Sequence, residues 1–347
     1  MGMKKLFQII LLLFVCWSCD DDPVETVFFD LDTQNGVFIA CEGNFMYGNS
    51  SLSFYNTETG KVINQLFYAR NNAPLGDVTQ SLAFQNNTLF IVVNNSGKIY
   101  AVDSETAAFK GVITGLTSPR YIHFLSNEKA YVSDIYANHI SIINPQTFEL
   151  TGRIDLGNHT SEQIVQIDNR VFVSSWSFDE YILVIDAEAD ELINKIKVPF
   201  QPKELQVDDN DKIWVLSQGS TEGFSDEEIP PALSRIDPVT LTIEQTFRFE
   251  DGELPAGLEM NSTKDTLFFI NRGVYKMPVT SRHLPDSAFI EPKRLFYSLA
   301  VNPKSNEIYV SDAVDYTQNA LLYRYSKEGK LLDSFRVGIN PSDFMFQ

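Results

Sequence analysis

The feature that most constrains this chain is a repeat, because a unit of four short strands recurs about every 40 to 50 residues. The unit is clearest from Pro119 to Ile154, from Pro202 to Phe247 and from Phe296 onward, with weaker copies beginning at Thr79, Ser161 and Pro255. Within each copy, β-branched and aromatic residues alternate with polar ones, which is typical of half-buried strands. Four strands repeated at this period predict the blades of a β-propeller.

The turn that precedes the fourth strand of each unit gives the repeat a measurable spacing. This turn begins near Asn56, Asp103, Asn144, Asp186 and Asp237, with weaker equivalents near Met277 and Ser326. Asn and Asp favour such turns because their side chains bond the backbone two residues further on. The intervals lie between 40 and 51 residues, and the positions predict seven units.

The two ends of the chain distinguish a closed ring from an open solenoid, which would need terminal caps. Blade 1, Val37 to Tyr68, contains only three strand-like segments, the last being KVINQLF, and the chain ends in PSDFMF, which matches the first strand of the other units. The C-terminal strand is therefore expected to complete blade 1 and to remove the free sheet edges. We predict an all-β fold, a seven-bladed β-propeller, as a single domain over residues 37–347.

The first residues predict an export signal rather than a part of the fold. A basic pair precedes a 12-residue apolar run from Leu6 to Trp17, which is too short to span a bilayer as a helix. Ser18 and Cys19 then resemble a bacterial lipobox. Residues 1–18 are predicted to be a lipoprotein signal peptide, Cys19 the lipid anchor, and residues 19–36 an acidic tether.

An acidic run, Asp20 to Asp22, follows Cys19 directly. A cysteine followed by acidic residues resembles the surface-export signal of lipoproteins in one group of Gram-negative gut bacteria. We therefore expect the protein to be lipid-anchored in the outer membrane and exposed at the cell surface, with the periplasmic leaflet as the alternative.

The charge balance excludes several classes of partner. Lys plus Arg number 27 against 46 Asp plus Glu, which gives a formal net charge of −19. Nucleic-acid binding and electrostatic adhesion to anionic lipid both need clustered Lys and Arg. We therefore predict no nucleic-acid partner, and contact with the membrane through the lipid anchor only. The three cysteines exclude a disulfide scaffold and a multi-cysteine zinc protein.

A propeller gathers loops from all its blades at one end of the central channel, and a ligand is expected there. The loops between second and third strands carry aromatic residues where ordinary turns carry small polar ones. Flat apolar groups beside hydrogen-bonding tips are the composition of a recognition surface, although any one of these aromatic residues has packing between blades as its alternative. The candidate ligand-binding residues are Phe45, Tyr47, Asn95, Arg120, Tyr121, Tyr136, Gln163, Trp176, Tyr297, Asp315 and Tyr316.

Catalytic constellations are weak in this sequence, so we predict a protein that is not an enzyme, with no catalytic residues and no metal site. The motifs of zinc proteases, serine hydrolases and phosphate-binding loops are missing, and the four histidines lack ligand spacing. Metal-dependent lactonase propellers use acidic and amide side chains on the axis, so a hydrolase of that kind remains the rival interpretation. A structural or adhesive surface propeller is a further alternative.

The blade pattern resembles that of YncE-like and surface-layer-type seven-bladed propellers. The similarity is closest to the BtuG family of surface cobalamin-binding lipoproteins and covers essentially all of the mature chain. The stretches that carry it are EGNFMYGNSSLSFYN (42–56), QSLAF with IVVNNSG (80–84 and 91–97), TSPRYIHFLSNEKAYVSDI (117–135) and EIYVSDAVDYTQ (307–318).

The resemblance implies a cell-surface lipoprotein that captures cobalamin (vitamin B12) or a related corrinoid and passes it to a BtuB-like TonB-dependent outer-membrane transporter. Cobalamin is then a transported ligand, and no resident cofactor is expected. The aromatic candidates would offer flat contact to the corrin ring. Asn95, Gln163 and Arg120 would form hydrogen bonds with the amide groups and the phosphate of the ligand.

Overall fold

Seven antiparallel sheets follow one another along the chain as the blades of a β-propeller. The computed structural model describes residues 27–220, 228–292 and 295–347. In blades 2 to 7 the strands of a sheet are consecutive in sequence. The first strands of these blades and the C-terminal strand contact one another in turn around a central axis. The predicted fold, an all-β seven-bladed propeller, is therefore confirmed.

The bounds of the elements are as follows. Blade 1 contains β1 (Gly36–Cys41), β2 (Ser51–Asn56), β3 (Val62–Ile63) and the C-terminal β27 (Pro341–Phe346). Blade 2 contains β4 (Thr79–Gln85), β5 (Thr88–Val93), β6 (Lys98–Asp103) and β7 (Phe109–Ile113). Blade 3 contains β8 (Pro119–Phe124), β9 (Ala130–Asp134), β10 (His139–Asn144) and β11 (Glu149–Asp155). Blade 4 contains β12 (Ile164–Ile167), β13 (Arg170–Ser175), β14 (Tyr181–Asp186) and β15 (Glu191–Lys197).

The remaining blades continue in the same order. Blade 5 contains β16 (Pro202–Val207), β17 (Ile213–Ser217), β18 (Ala232–Asp237) and β19 (Thr242–Arg248). Blade 6 contains β20 (Ala256–Met260), β21 (Thr266–Asn271) and β22 (Gly273–Pro278). Blade 7 contains β23 (Phe296–Val301), β24 (Ile308–Asp312), β25 (Leu321–Tyr325) and β26 (Leu331–Arg336). One α-helix, α1 (Leu66–Asn71), and two 3-10 turns, Thr33–Asn35 and Asn94–Ser96, complete the described secondary structure.

The C-terminal strand closes the ring. β27 pairs antiparallel with β1, with Phe344 opposite Ile39 and Phe346 opposite Val37. Phe344 is buried, and β27 also contacts the innermost strands of blades 2 and 7. The predicted completion of blade 1 by the end of the chain is confirmed.

The hydrophobic core lies between the blades. The buried apolar side chains form seven clusters, and each cluster is shared by two neighbouring blades. In one of them, Phe38 and Phe54 of blade 1 pack with Leu82 and Leu89 of blade 2. A blade therefore buries its faces only against its neighbours, and stability depends on the complete ring.

The predicted turns before the fourth strands are formed by side-chain caps. Asn56 Oδ1 accepts the N–H groups of Glu58 and Thr59 at 3.1 and 2.7 Å. Asp103, Asn144, Asp186 and Asp237 accept the corresponding pairs of N–H groups in their own turns. The hydroxyl of Ser326 plays the same part in blade 7. The regular spacing in the sequence thus reflects one hydrogen-bonded turn that recurs in six blades.

Blade 6 departs from the prediction, because no turn forms at Met277 and β22 continues through it to Pro278. Among the described residues this blade has three strands. The segment after β22 lies along its rim, where Ile290 forms an isolated bridge with Val274. The physical reason is visible in the sequence, since Met277 cannot cap a hairpin and Pro278 has no N–H for a ladder.

Blade 1 also departs from the prediction at its third segment, KVINQLF. β3 contains only two residues, and the chain then forms α1. Gln65 has a left-handed backbone conformation (φ 55°) that ends the extended run. Leu66 and Phe67 can therefore turn into the apolar cluster between blades 1 and 2, where both are buried.

Part of the segment assigned to the tether lies against the propeller. The N–H of Leu31 donates to the carbonyl of Glu105 at 2.7 Å, and Leu31 is buried. The guanidinium of Arg70 lies 4.8 Å from the ring centre of Phe28. Residues 27–35 therefore pack on blades 1 and 2, whereas the predicted signal peptide and Cys19 lie outside the described residues. No helix in the described ranges is long and apolar enough to cross a membrane.

The innermost strands are joined around the axis by side-chain acceptors. Six of the seven have a register shift near the start of the strand. The N–H groups of the following residues can then donate to side chains of the preceding blade: Leu82 to Asp343 at 2.7 Å, Leu205 to Gln163 at 2.7 Å and Leu258 to Glu204 at 2.6 Å. Acidic and amide residues at the axis thus have a structural role.

Closure of the ring predicts a strong effect of Phe344→Ala. Removing this buried ring should lower the free energy of unfolding by about 3–5 kcal/mol, because a cavity replaces its contacts in the blade 7–blade 1 cluster. The measurement is urea unfolding followed by tryptophan fluorescence. Deletion of Gln347 alone, which leaves β27 intact, should change little; equal destabilisation by the two changes would contradict the proposed role of the closing strand.

The raised pKa of Asp343 predicts how the free energy of unfolding depends on pH. Burial raises the pKa of Asp343 from 3.8 to about 6, although the N–H groups of Leu82 and Phe344 oppose this. A raised pKa of an acid favours the folded state at low pH, and this contribution is lost as the pH rises through about 6. Asp343→Asn should therefore gain stability relative to the wild type between pH 4 and pH 8, by at most about 3 kcal/mol.

Asp315 provides the matched control. The N–H of Thr317 and the side chain of Gln318 lower the pKa of Asp315 to about 2. Asp315→Asn should therefore lose stability relative to the wild type as the pH rises from about 2 to about 4, which is the opposite sign. Chemical unfolding at several pH values checks both variants, and parallel curves for Asp343→Asn and the wild type would contradict the buried-acid interpretation.

Candidate ligand-binding face

All eleven predicted ligand-binding residues lie at one end of the propeller. Neighbouring strands are antiparallel, so the start of each innermost strand and the loop between the second and third strands of a blade share one end. We call this end the upper face and the opposite end the lower face. These loops come from every blade, and the closed ring joins the described strands that carry them.

An ion pair lies close to the axis at the upper face. Arg120 binds Glu162 through two nitrogens, with Nε 2.7 Å from Oε2 and Nη2 2.6 Å from Oε1. A further nitrogen of the guanidinium donates to the side-chain carbonyl of Gln80. Both members of the pair are largely buried. Because Glu162 neutralises it, Arg120 is a weak candidate for binding an anionic group.

Trp176 connects this ion pair to a second cation. Its indole N–H donates to Gln218 Oε1 at 2.8 Å and fixes the ring. The Arg120 guanidinium lies 5.8 Å and the Lys203 ammonium 5.3 Å from the ring, within cation–π range. Among the described residues, no carboxylate lies within ion-pair distance of Lys203. The Lys203 ammonium is thus a positive charge without a counter-ion beside a half-buried aromatic ring.

Tyr297 and Tyr316 form the part of the upper face contributed by blade 7. The Tyr297 hydroxyl donates to Glu42 Oε2 at 2.6 Å. Burial raises the pKa of Glu42, while the hydrogen bond from Tyr297 acts in the opposite direction. The rings of Tyr297 and Tyr316 meet edge to face with centres 5.8 Å apart. The side chain of Asn44 donates to the carbonyl of Tyr316 at 2.6 Å, which joins this loop to blade 1.

The loop between β1 and β2 presents Phe45 and Tyr47 to solvent. The two rings are 65% and 79% exposed, and Met46 between them is 78% exposed. The loop is held from below by Asp77, which accepts the N–H of Met46 at 2.8 Å and the side-chain amide of Asn95 at 2.5 Å. Asn95 thus supports the aromatic loop, in addition to being exposed itself.

A small cavity opens at the axis of the upper face. Its volume is about 150 Å3. Its polar lining includes Tyr121, Gln163, Tyr297, Lys203 and Glu42. The cavity is large enough for a side group of a ligand and much too small for a corrinoid, so a large ligand would lie across the face above it.

The remaining predicted residues lie further from the axis. Tyr136 is 72% exposed in a loop that Asp134 caps through the N–H groups of Tyr136 and Ala137. Asp315 caps its own loop, accepting the N–H groups of Thr317 and Gln318 at 3.0 and 3.2 Å. Tyr136 thus adds exposed aromatic surface, whereas the contacts of Asp315 hold a loop.

Several residues at the upper face were not among the predicted ligand-binding residues. They are Glu42, Met46, Phe178 and Lys203. Phe178 is an exposed ring in the loop between β13 and β14, and its aromatic character was visible in the sequence. The importance of Lys203 follows only from the structure, because it depends on Arg120 being paired with Glu162 while Lys203 is not paired.

No group of three or more His, Cys, Asp or Glu side chains within the described ranges is arranged to hold a metal ion. The axial acids Glu204 and Asp343 accept backbone N–H groups of the next blade, as described above. Around the axis the upper face therefore combines exposed aromatic rings, hydrogen-bonded acids and Lys203, which has no carboxylate of the described residues within ion-pair distance.

Solved structures share this fold at low sequence identity. A quinonprotein alcohol dehydrogenase-like protein from Bacteroides thetaiotaomicron is 16% identical, with a TM-score of 0.71 over 90% of this chain and 78% of the other. The periplasmic gluconolactonase of Pseudomonas aeruginosa is 12% identical, with a TM-score of 0.64 over 89% and 98%. The Cps50 (Swd1) β-propeller domain of Myceliophteria thermophila is 11% identical, with a TM-score of 0.63 over 83% and 97%.

These similarities establish the propeller fold and leave the activity open, since the three proteins differ in what they do. No curated protein matches this chain. A family model does match it, over residues 35–347, which is the whole propeller. The chain therefore belongs to the family described as a domain of unknown function, DUF5074.

Proposed function

We propose that the upper face captures cobalamin or a related corrinoid at the cell surface without catalysing a reaction. The observation that carries this proposal is the set of exposed aromatic rings from different blades around a polar axial cavity. Phe45, Tyr47, Tyr136, Phe178 and Tyr316 are all at least 44% exposed at this face. Exposed aromatic rings of this number are unusual unless they meet a partner.

The chemistry of cobalamin complements this surface. Its corrin ring is flat and apolar and carries a fringe of amide groups, which need both aromatic contact and hydrogen-bonding partners. Tyr316 and Trp176 supply rings, and Gln163 supplies an amide whose Oε1 is already bonded to Leu205, which leaves its Nε2 as a donor. One amide arm of the ligand fits the size of the axial cavity.

Rigidity favours tight binding. The loops at the upper face are held by side-chain caps and by bonds between blades, such as that from Asn44 to the carbonyl of Tyr316. Little conformational entropy would then be lost when a ligand binds. On this proposal, Cys19 anchors the protein in the outer membrane, and a BtuB-like TonB-dependent transporter receives the ligand.

Removing two exposed rings should weaken binding. For Tyr47→Ala combined with Tyr316→Ala, we expect the Kd for cyanocobalamin to rise by at least about 30-fold, the effect of losing about 2 kcal/mol of aromatic contact. Isothermal titration calorimetry measures this directly. Phe109→Ala is the matched control, because Phe109 is 52% exposed on β7 away from the upper face, and it should leave the Kd unchanged.

Two outcomes would contradict the proposal. The first is no binding of cyanocobalamin by the wild type at micromolar concentrations. The second is hydrolysis of a sugar lactone in the presence of Ca²⁺, which would instead indicate a lactonase-type propeller.

The position of Lys203 predicts that its ammonium group binds the charged part of the ligand. Cobalamin carries a phosphodiester, which its precursor-like analogue dicyanocobinamide lacks. If the Lys203 ammonium binds this phosphate, Lys203→Gln should weaken cyanocobalamin binding by about tenfold and change cobinamide binding by less than about twofold. Titration of both ligands into both proteins checks this.

The control for Lys203 is Lys264→Gln, which removes the same charge at the lower face. This variant should bind both ligands as the wild type does. An equal loss of affinity for both ligands in Lys203→Gln would show that Lys203 only supports Trp176, and the phosphate assignment would be wrong.

A further inference from the structure

A second and larger cavity lies on the axis at the lower face. Its volume is about 660 Å3, compared with about 150 Å3 at the upper face. The lower halves of the innermost strands line it, and residues from neighbouring turns form its rim. The capture of a ligand at the upper face does not use this cavity.

Glu259 is the residue that joins the two cavities, since it lines both. Glu259 lies on β20, the innermost strand of blade 6, and its side chain is partly exposed.

Glu259 differs from the neighbouring acids because it does not join two blades. Glu204 and Asp343 each accept a backbone N–H of the next blade. Among the described residues, the Glu259 carboxyl receives a hydrogen bond only from the N–H of the adjacent Met260. Glu259 is partly exposed, so its carboxyl oxygens are open to a ligand in the cavity that supplies hydrogen-bond donors.

Two further polar side chains on the innermost strands, Gln206 and His123, are left with acceptor atoms. The Gln206 amide nitrogen donates to the carbonyl of Leu258 at 2.9 Å, which leaves its Oε1 as an acceptor. His123 Nε2 lies 2.9 Å from Gln166 Oε1, and the Gln166 amide nitrogen donates to the carbonyl of Asp168 at 2.7 Å. His123 Nε2 therefore carries the proton, and its Nδ1 is an acceptor.

Apolar side chains form part of the wall around these acceptors. Ile164, Val207, Met260, Phe344 and Phe346 line the cavity. At the rim, two acids, Asp168 and Asp211, outnumber one base, Lys264. A cavity of this kind is complementary to a small molecule with a positively charged group that has several N–H donors and an apolar body. A primary ammonium has three donors.

We propose that the lower cavity is a binding site for small primary amines, with the ammonium group at Glu259 and the apolar part against Phe344 and Phe346. This site goes beyond cobalamin capture, because the cavity opens at the other end of the axis, and Glu259 is the residue that it shares with the upper cavity. The contact between the ammonium and the Glu259 carboxylate is a charge-assisted hydrogen bond, which is stronger than a bond between neutral groups.

Phenethylamine and 2-phenylethanol form a matched pair of probes, because they share a ring and a two-carbon chain and differ in the amine. Calorimetric titration of the wild type at pH 7.5 should show binding of the amine and at least about tenfold weaker binding of the alcohol. Glu259→Gln should weaken amine binding by at least about tenfold. Glu58→Gln, which removes one acidic charge from an exposed turn outside the cavity, should change it by less than about twofold.

Three results would overturn the proposal. They are no heat with phenethylamine at millimolar concentration, equal affinities for the amine and the alcohol, and unchanged amine affinity in Glu259→Gln. Thermal unfolding of Glu259→Gln shows whether it is folded, and the comparison of the two probes on the wild type decides the matter if it is not. Phenethylamine titrated into the Tyr47→Ala, Tyr316→Ala double variant separates this site from the upper face, because both rings lie outside the lower cavity and the amine affinity should not change.

Discussion

The pairing of β27 with β1 is the contact on which the rest of the molecule depends. Every blade buries its faces only against its two neighbours, so an open ring would leave two apolar faces in water. The cluster between blades 7 and 1 contains Ile39 and Tyr309 together with Phe344 from the closing strand. Opening the ring would expose this cluster and the edge of β1 at the same time, and the two costs would add.

Closure also assembles the upper face from the two ends of the chain. The side chain of Asn340, directly before β27, donates to the carbonyl of Gly43 at 2.9 Å, and the N–H of Glu42 donates to the carbonyl of Asn340 at 2.9 Å. The Glu42 carboxylate then lies within 2.6 Å of the Tyr297 hydroxyl of blade 7. The contact that stabilises the fold thus also sets the position of the exposed aromatic loop.

The sequence predicted features that depend on local chemistry and missed those that depend on which blades meet. Asn56 and Asp237 could be recognised as turn residues because each caps a turn within three residues. The helix after β3 could not be predicted from its six residues, because what stabilises it is the burial of Leu66 and Phe67 between two blades.

The candidate site shows the same division between local and long-range information. Arg120 was a plausible partner for phosphate until its contacts with Glu162, 42 residues further along the chain, became visible. Whether a charged side chain is free to bind a ligand depends on its ion-pair partner and not on the residue type alone. For that reason Lys203, an ordinary lysine in the sequence, becomes the cation of the upper face.

The two ends of the axis differ in which polar groups their hydrogen bonds leave free. At the upper end Arg120 and Glu162 neutralise each other, and Lys203 lies beside Trp176. At the lower end the amide donors of Gln206 and Gln166 are used by backbone carbonyls, and Glu259 lines both cavities. Burial raises the pKa of Glu259 well above its usual range, and Asp343 and Glu204 act in the same direction. A cation at the lower end would relieve that cost of ionisation, whereas an anion there would increase it.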